Sequence, residues 1–241
     1  MLASTEDVQR IQARVLHTLR NGLEFDLTTD QCKQFLRRHV NSNTTMVVLF
    51  VDINGSTQMS IALPPPNFAM IVQIFSQEAR LAIIGHGGYV LKYVGDSIIG
   101  IFPAEFDKQK ACINALDCAG SILSIIRECI NPVFTNNNLP RITVKMGLDI
   151  GISSVILYGK KINNAPIDLI GPSISMASKI TSAAQPSQIL VGKSIYDIFL
   201  NDTSSRSKFA KVKMPSDKWN YTDKSSGNIY ELYSYKEGLT I

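Results

Sequence analysis

The sequence predicts a mixed α/β fold built around one sheet, with a helical extension at its N-terminus. Three observations support this prediction. Apolar residues recur at helical spacing within residues 1–42, the rest of the chain alternates strand-length β-branched runs with longer helical patterns, and the connections between them are short. We therefore divide the chain into a helical extension, residues 1–42, and one larger domain, residues 43–241.

Composition limits the classes of protein that the chain can belong to. Its 241 residues are 45% apolar and only 18% charged, which is typical of a chain with a packed core rather than a disordered one. The formal charge of +4 is mild, and no run of Lys and Arg concentrates it. This argues against nucleic acid as a partner but suits an anionic ligand. The four cysteines form no CxxC pair, which favours buried thiols in a reducing compartment.

The N-terminal sequence bears on the compartment. MLASTEDVQR lacks the basic start and the apolar run of a secretory signal. No apolar stretch reaches the roughly 18 residues that a membrane-spanning helix needs. We expect no membrane segment and a cytoplasmic location.

Local signals place each element in order. Ser4 begins the first helix of the extension, because it precedes the acidic residues Glu6 and Asp7, and Thr28 or Thr29 caps the second. From residue 43 the predicted elements are a strand at 45–51, a loop at 52–57, a helix at 67–84 after three prolines, hairpin arms at 89–94 and 97–102, a helix at 107–130, strands at 141–150 and 153–158, a polar excursion at 159–166, a helix at 171–184, a strand at 188–191, a helix at 192–200, and strands at 209–214 and 229–235.

Two aspartates stand at the ends of predicted strands. Asp52 follows the first buried strand, and Asp96 occupies the hairpin turn with Gly95. Taken singly, such residues often only cap a turn. If the hairpin lies beside the first strand, however, both carboxylates emerge at one edge of the sheet and can hold a pair of hard cations, Mg²⁺ or Mn²⁺. Such a pair lowers the pKa of an attacking hydroxyl and neutralises a leaving pyrophosphate.

The loop after Asp52 contains small residues that suit phosphate binding. Gly55, Ser56 and Thr57 follow Asn54 and precede a helical segment, so backbone N–H groups can approach phosphate oxygens. On its own, such a loop is more often a plain turn.

At this point the sequence resembles the class III nucleotidyl cyclase family, from about Met46 to Leu200. Four segments carry the resemblance, in order: VVLFVDINGST (47–57), GGYVLKYVGDSIIGIF (87–102), VKMGLDIG (144–151) and DLIGPSISMASKI (168–180). The resemblance implies an antiparallel-rich, ferredoxin-like sheet similar to polymerase palms. It also implies a head-to-tail homodimer with its active sites at the interface.

The resemblance also implies roles for individual residues. Asp52 and Asp96 match the metal ligands of the family, helped by the backbone carbonyl of Ile53. Lys92 and Asp168 match the pair that reads the base in adenylyl cyclases, and they would act on the site whose metals belong to the other chain. The implied reaction is in-line attack of the ribose 3′-hydroxyl on the α-phosphate, which releases pyrophosphate and gives a 3′,5′-cyclic nucleotide.

The sequence departs from the family at two catalytic positions. Family members usually have an Asn and an Arg four residues apart, where this chain has Ser175 and Lys179. Lys179 keeps the charge but can pair only as a point charge. Two interpretations stay open: a cyclase with a weaker version of this machinery, which the intact metal pair favours, or a domain that binds nucleotide without turnover. Lys211 or Lys213 is a candidate for contact with the triphosphate.

The base-reading pair narrows the substrate. Lys92 donates a hydrogen bond and an ionised Asp168 only accepts, so the base must present a ring nitrogen beside an amino group. Adenine and cytosine do so, which leaves ATP or CTP, with ATP slightly favoured on the residues. Short cyclases of this kind also resemble the bacterial pyrimidine cyclases of antiphage (Pycsar) systems, which make cyclic CMP or cyclic UMP. An effector that senses the cyclic nucleotide is the expected downstream partner.

Overall fold

A computed structural model gives the structure of the protein, and it describes residues 4–23, 26–223 and 226–236. The helices are α1 (Thr5–Asn21), α2 (Asp30–Arg37), α3 (Ser56–Ala62), α4 (Pro65–Gly85), α5 (Lys108–Ile125), α6 (Asn131–Asn136), α7 (Pro172–Ala183), α8 (Lys193–Ile198) and α9 (Thr203–Arg206). The strands are β1 (Asn43–Ile53), β2 (Tyr89–Val94), β3 (Ser97–Pro103), β4 (Val144–Leu157), β5 (Ile167–Ile170), β6 (Ile189–Gly192), β7 (Phe209–Val212) and β8 (Leu232–Tyr235). This order confirms the mixed α/β class.

The eight strands of the described chain form one sheet in the order β2-β3-β1-β4-β6-β8-β7, with β5 paired to the far end of β4. Neighbouring strands are antiparallel except β4 and β6, which are parallel. The predicted apolar run therefore lies in the middle of the sheet, with β3 on one side and β4 on the other. A strand covered on both faces reads as a continuous apolar stretch, which explains its composition.

Alternate residues of β1 point into two different cores. Val47, Leu49 and Val51 belong to the larger core, under α1, α4, α5 and α8. Met46 and Val48 belong to the second core, on the opposite face, where α2 and α7 pack. By this alternation Asp52 lies on the same face as Met46, so the sheet presents it on the side of α2 and α7.

The helical extension packs into both cores. In α1, Ile11 and Val15 are buried in the larger core. The Arg14 guanidinium donates to both carboxylate oxygens of Glu78, at 2.8 and 2.5 Å, and Glu78 is fully buried in α4. In α2, Cys32 and Leu36 join the second core. β1 begins at residue 43, two residues before the strand predicted from the sequence.

Two predictions about the segment after β1 are wrong. Residues 52–57 are not one loop, because β1 continues to Ile53 and α3 begins at Ser56. The backbone stays extended through Ile53 because that residue still pairs with β4. The end of β1 is therefore determined by this pairing and not by a local sequence signal. The helix expected from residue 67 begins at Pro65, since Pro65 and Pro66 fill the first turn, where a missing N–H is harmless.

The second half of the sheet also differs from the prediction. β4 is one strand of 14 residues rather than two, because β1 pairs with it as far as Ser154 and β5 pairs with it from there. The strand β5 and the short helix α9 were not predicted. The helix expected to end at residue 130 continues through a π-helical stretch, Ile126–Ile130, directly into α6.

One helix among the described residues, α4, is long and apolar enough to cross a membrane. This differs from the prediction that no segment is. Half of its apolar stretch is buried, and it contains the fully buried Glu78. The core helix of a globular domain meets the same criterion, so α4 gives little support to a membrane segment. The cytoplasmic location stays a prediction.

Candidate active site

The structure brings Asp52 and Asp96 together at one edge of the sheet. Asp52 is paired in register with Ser97 of β3 on one side and with Lys145 of β4 on the other. Asp96 immediately precedes Ser97, in the turn that the positive φ of Gly95 (61°) allows. The Ser97 hydroxyl donates a hydrogen bond to Oδ1 of Asp52. The register of three strands thus fixes the position of Asp52 relative to the hairpin turn.

The acidic pair carries an electrostatic cost. Burial raises the pKa of Asp52, and the Asp96 carboxylate beside it raises the pKa further. The Ser97 hydrogen bond and the positive charge of Lys145 act in the opposite direction. Two carboxylates held side by side are stabilised by a cation, because each negative charge disfavours the other.

The residues at this edge fit a divalent cation. Oδ2 of Asp96 is buried, and no residue of the described chain donates a hydrogen bond to it. An ionised carboxylate only accepts, so a buried oxygen of this kind needs a donor or a cation. Two carboxylates suit Mg²⁺, which takes one or two of them and completes its shell with water and phosphate oxygens. In residues 4–23, 26–223 and 226–236, no group of three or more His, Cys, Asp or Glu side chains that could hold a metal ion is found.

The predicted phosphate loop follows directly. Ile53 is the last residue of β1, and the Asn54 N–H donates to the Thr143 carbonyl at 2.8 Å. Gly55 has a φ of 74°, which reverses the chain before α3 begins at Ser56. Thr57 is exposed in the first turn of α3. The segment from Asn54 to Thr57 therefore follows Asp52 closely in sequence, and its first residue is bonded to the residue that precedes β4.

Lys92 and Asp168 form a second group. The Lys92 Nζ lies 2.6 Å from Oδ2 of Asp168, and the Leu169 N–H donates to Oδ1 at 2.8 Å. The two residues come from strands that do not pair with each other, β2 and β5. The Lys92 side chain is 39% exposed and the Asp168 side chain is 23% exposed, so both are open to a ligand.

Ser175 and Lys179 lie four residues apart on α7, and both are exposed. Lys179 lines a cavity of about 420 Å³, together with Lys145, Lys218 and Trp219. Lys145 is also the register partner of Asp52, so one of the lysines that line the cavity is the strand neighbour of Asp52.

Sequence reasoning missed Lys145 and Lys218. Lys145 lies within a predicted strand, but its position opposite Asp52 follows only from the register of β1 and β4. Lys211 and Lys213, the lysines considered from sequence, line a different cavity of about 320 Å³. Lys211 also forms an ion pair with Glu231.

Asp149 has a structural environment. It is 4% exposed, and its Oδ1 accepts a hydrogen bond from the Tyr230 hydroxyl at 2.8 Å and from the Ile150 N–H at 3.0 Å. The Tyr230 oxygen also accepts from the Ser194 N–H at 3.0 Å. Burial raises the pKa of Asp149 to about 7, against the effect of the two hydrogen bonds. This network ties the segment before β8 to the centre of the sheet.

The fold and the paired carboxylates agree with the family that the sequence motifs resemble. The family model for the adenylate and guanylate cyclase catalytic domain matches residues 39–224, and the chain belongs to that family. The structure of the adenylyl cyclase CyaB from P. aeruginosa superposes with a TM-score of 0.68 at 17% identity, over 83% of this chain and 97% of that one. At that identity the likeness concerns the fold alone.

Two curated relatives are cytidylate cyclases. One from Escherichia coli is 22% identical over 159 residues, which are 63% of this chain and 34% of the relative. One from Staphylococcus aureus is 25% identical over 150 residues, which are 61% of this chain and 36% of the relative. The chain thus spans about a third of the length of these relatives.

Proposed function

We propose that this domain is a lyase that converts a nucleoside triphosphate into a 3′,5′-cyclic nucleotide and pyrophosphate. The observation that carries the proposal is the acidic pair Asp52 and Asp96, with a buried, unpartnered Asp96 oxygen, beside a cavity lined by lysines. A polyphosphate with bound cations complements both halves of this arrangement in charge.

Asp52 and Asp96 would hold two divalent cations, Mg²⁺ or Mn²⁺, with the backbone carbonyl of Ile53 as a further oxygen ligand. When bound, the cations supply Lewis acidity at the ribose 3′-hydroxyl and neutralise charge on the leaving pyrophosphate. The half-buried position of Asp52 and the hydrogen bond from Ser97 orient one carboxylate before any ligand arrives.

The remaining residues would bind and orient the triphosphate. Lys179 on α7 stabilises negative charge at the α-phosphate, and Lys145 and Lys218 are the cavity lysines within the same lining. Ser175 offers a hydroxyl to the ribose, one turn before Lys179. The backbone N–H groups of Gly55, Ser56 and Thr57, at the start of α3, contact the phosphate oxygens. Asn54 can do so only through its side chain, because its N–H is bonded to the Thr143 carbonyl. Catalysis then consists of positioning and charge stabilisation, with no covalent intermediate on the protein.

The base would be read by Lys92 and Asp168. Their ion pair is partly exposed, so its net contribution to folding is small and a base can take over its hydrogen bonds. A ring nitrogen accepts from Lys92 and an amino group donates to Asp168, as in ATP and CTP. On the site residues, ATP is slightly favoured as the substrate. CTP is the second candidate, because two curated relatives are named cytidylate cyclases.

The active form would be a homodimer with its sites at the interface, as the family resemblance implies. Large apolar side chains are exposed on and around the antiparallel pair of strands β4 and β5, which supports an interface there. They are Ile152, Tyr158, Ile162 and Ile170. The cyclic product would act on a downstream effector that senses cyclic nucleotides, in antiphage signalling where the base is a pyrimidine.

The test is a product screen. Purified protein is incubated with Mn²⁺ or Mg²⁺ and each of the four ribonucleoside triphosphates, and the products are separated by chromatography. We expect a cyclic product from ATP or CTP, and we expect Lys92→Ala to change the base preference more than the metal dependence. Lys160→Ala, an exposed lysine in the β4–β5 connection, is the control.

The second candidate function is nucleotide binding without turnover. Ser175 and Lys179 favour it, because they replace the residues that most of the family uses at the ribose and the α-phosphate. Equilibrium binding measured beside the screen separates the two: triphosphate binding with no cyclic product in either metal supports the binding domain and contradicts the cyclase.

A further inference from the structure

Helix α2 of the N-terminal extension lies against the Lys92–Asp168 pair. It packs on β2 and on β5, the strands that carry the two residues. Leu91 and Leu169, the chain neighbours of Lys92 and Asp168, share the second core with side chains of α2. The helix therefore spans both strands at the level of the pair.

Three contacts hold α2 in this position. Cys32 and Leu36 are 2% and 1% exposed, so the inner face of the helix is sealed onto the sheet. The Phe35 ring stacks on the Tyr89 ring of β2, with centroids 4.9 Å apart. At the end of the helix, the Arg37 guanidinium donates to the carbonyls of Ile162 and Ala165, just before β5, the latter at 3.0 Å.

Cys32 and Leu36 are the α2 side chains that are buried in the second core together with Leu91 and Leu169. Burial raises the pKa of the Cys32 thiol to about 12, and the negative charge of Asp168 is the next cause. Cys32 therefore helps to set how closely α2 lies on the two strands that carry the pair. The polar ends of Lys92 and Asp168 stay partly exposed, so a ligand can reach them beside the helix rather than through it.

We propose that α2 forms a wall of the nucleobase site, and that the packing of Cys32 and Phe35, which sets how closely the helix lies on β2 and β5, limits the size of the base that Lys92 and Asp168 accept. The proposal rests on the proposed function, and it concerns the choice between a purine and a pyrimidine. Hydrogen bonding admits both ATP and CTP, so the wall is the element that discriminates between them. A change of one methylene-sized group in such a wall shifts selectivity by about 10-fold or more.

The test compares ATP with CTP in competition. The ratio of kcat/KM values is measured for the wild type, Cys32→Ala and Phe35→Leu. Cys118→Ala is the matched control, because Cys118 is equally buried but lies on α5, in the larger core on the other face of the sheet. We expect Cys32→Ala and Phe35→Leu to move the ratio at least fivefold towards ATP, the larger base, and Cys118→Ala to leave it within twofold.

The outcomes separate this inference from the proposed function. If product is formed and the ATP-to-CTP ratio is the same in the wild type and in both α2 variants, the proposal that α2 limits the base is wrong, and the proposed cyclase activity is unaffected. Where the wild type gives no product, calorimetric dissociation constants for ATP and CTP replace the rates, and the same shift in their ratio supports the wall. Absence of binding for both triphosphates contradicts the wall as well as the cyclase. Far-UV circular dichroism identifies a variant that fails to fold, and the other α2 variant then decides.

Discussion

At the scale of single residues, the buried hydrogen-bond network around Asp149 is the clearest feature outside the active site that stabilises the fold. Tyr230 is 7% exposed, and its hydroxyl donates to Asp149 while accepting from Ser194. A Cβ added at Gly192 would meet Asp149 Oδ1 and the Tyr230 hydroxyl at 2.7 Å each, so the glycine makes room for the contact. Removing one partner leaves buried polar groups without hydrogen bonds, which is costly.

Tyr230→Phe is therefore expected to destabilise the protein. The loss should be about 1–3 kcal/mol in the free energy of unfolding, because Asp149 and Ser194 lose their shared partner. Urea denaturation measures it, with Tyr158→Phe as the control, since Tyr158 is 62% exposed. Equal stability of the two variants would contradict a structural role for the network.

Asp149 also predicts a pH dependence of stability. Its pKa is about 7 in the folded protein, above the ordinary value of 3.8, so the folded state binds the proton more tightly than the unfolded chain does. The resulting stabilisation is complete below pH 4 and is lost as the pH rises through about 7. The groups that donate hydrogen bonds to Asp149 are the Tyr230 hydroxyl and the Ile150 N–H.

The measurement is the thermal midpoint at pH 5 and pH 8 for the wild type and for Asp149→Asn, which cannot titrate. We expect the wild type to lose more stability than the variant between the two pH values. A variant with the same slope as the wild type would show that the pH dependence has another source.

At the scale of elements, the sequence predicts what local patterns determine. The hairpin arms and the residues of its turn are predictable, because alternating apolar residues flank Gly95 and Asp96. The single strand β4 and the short strand β5 are not, since their limits depend on pairing with β1 and with each other. For the same reason Lys145 could not be placed opposite Asp52 without the register.

The packing of α7 on β4 gives an element-scale prediction. A Cβ at Gly147 would meet the Thr181 backbone nitrogen at 2.3 Å and the Ala177 carbonyl oxygen at 2.5 Å. Gly147→Ala must therefore displace α7, which carries Ser175 and Lys179. We expect about 1–3 kcal/mol of destabilisation from overpacking and a reduced kcat.

Urea denaturation and initial rates check this prediction. Gly85→Ala, at the end of α4, is the control, because a Cβ there meets nothing within 4 Å. A Gly147→Ala protein as stable and as active as the Gly85→Ala protein would show that the position of α7 is not critical.

At the scale of the whole molecule, one sheet organises the site. Asp52 and its register partner Lys145 lie on the face covered by α2 and α7, and the opposite face holds the larger core. The four sequence motifs predicted this family and its fold, because each contains a turn or strand end with a defined residue pattern. No sequence pattern indicated where the helical extension would pack. Only the structure shows that α2 packs on β2 and β5, the strands that carry Lys92 and Asp168.

The most direct test of the central claim is the initial rate of cyclic nucleotide formation in Mn²⁺ by the wild type, Asp52→Asn and Asp96→Asn. Asn keeps the shape of the side chain and removes the charge that a cation needs, and Asp117→Asn, exposed on α5, is the control. We predict a loss of about 100-fold or more in each of the two site variants and none in the control. Undiminished product from either site variant would contradict a site in which both carboxylates hold the cations.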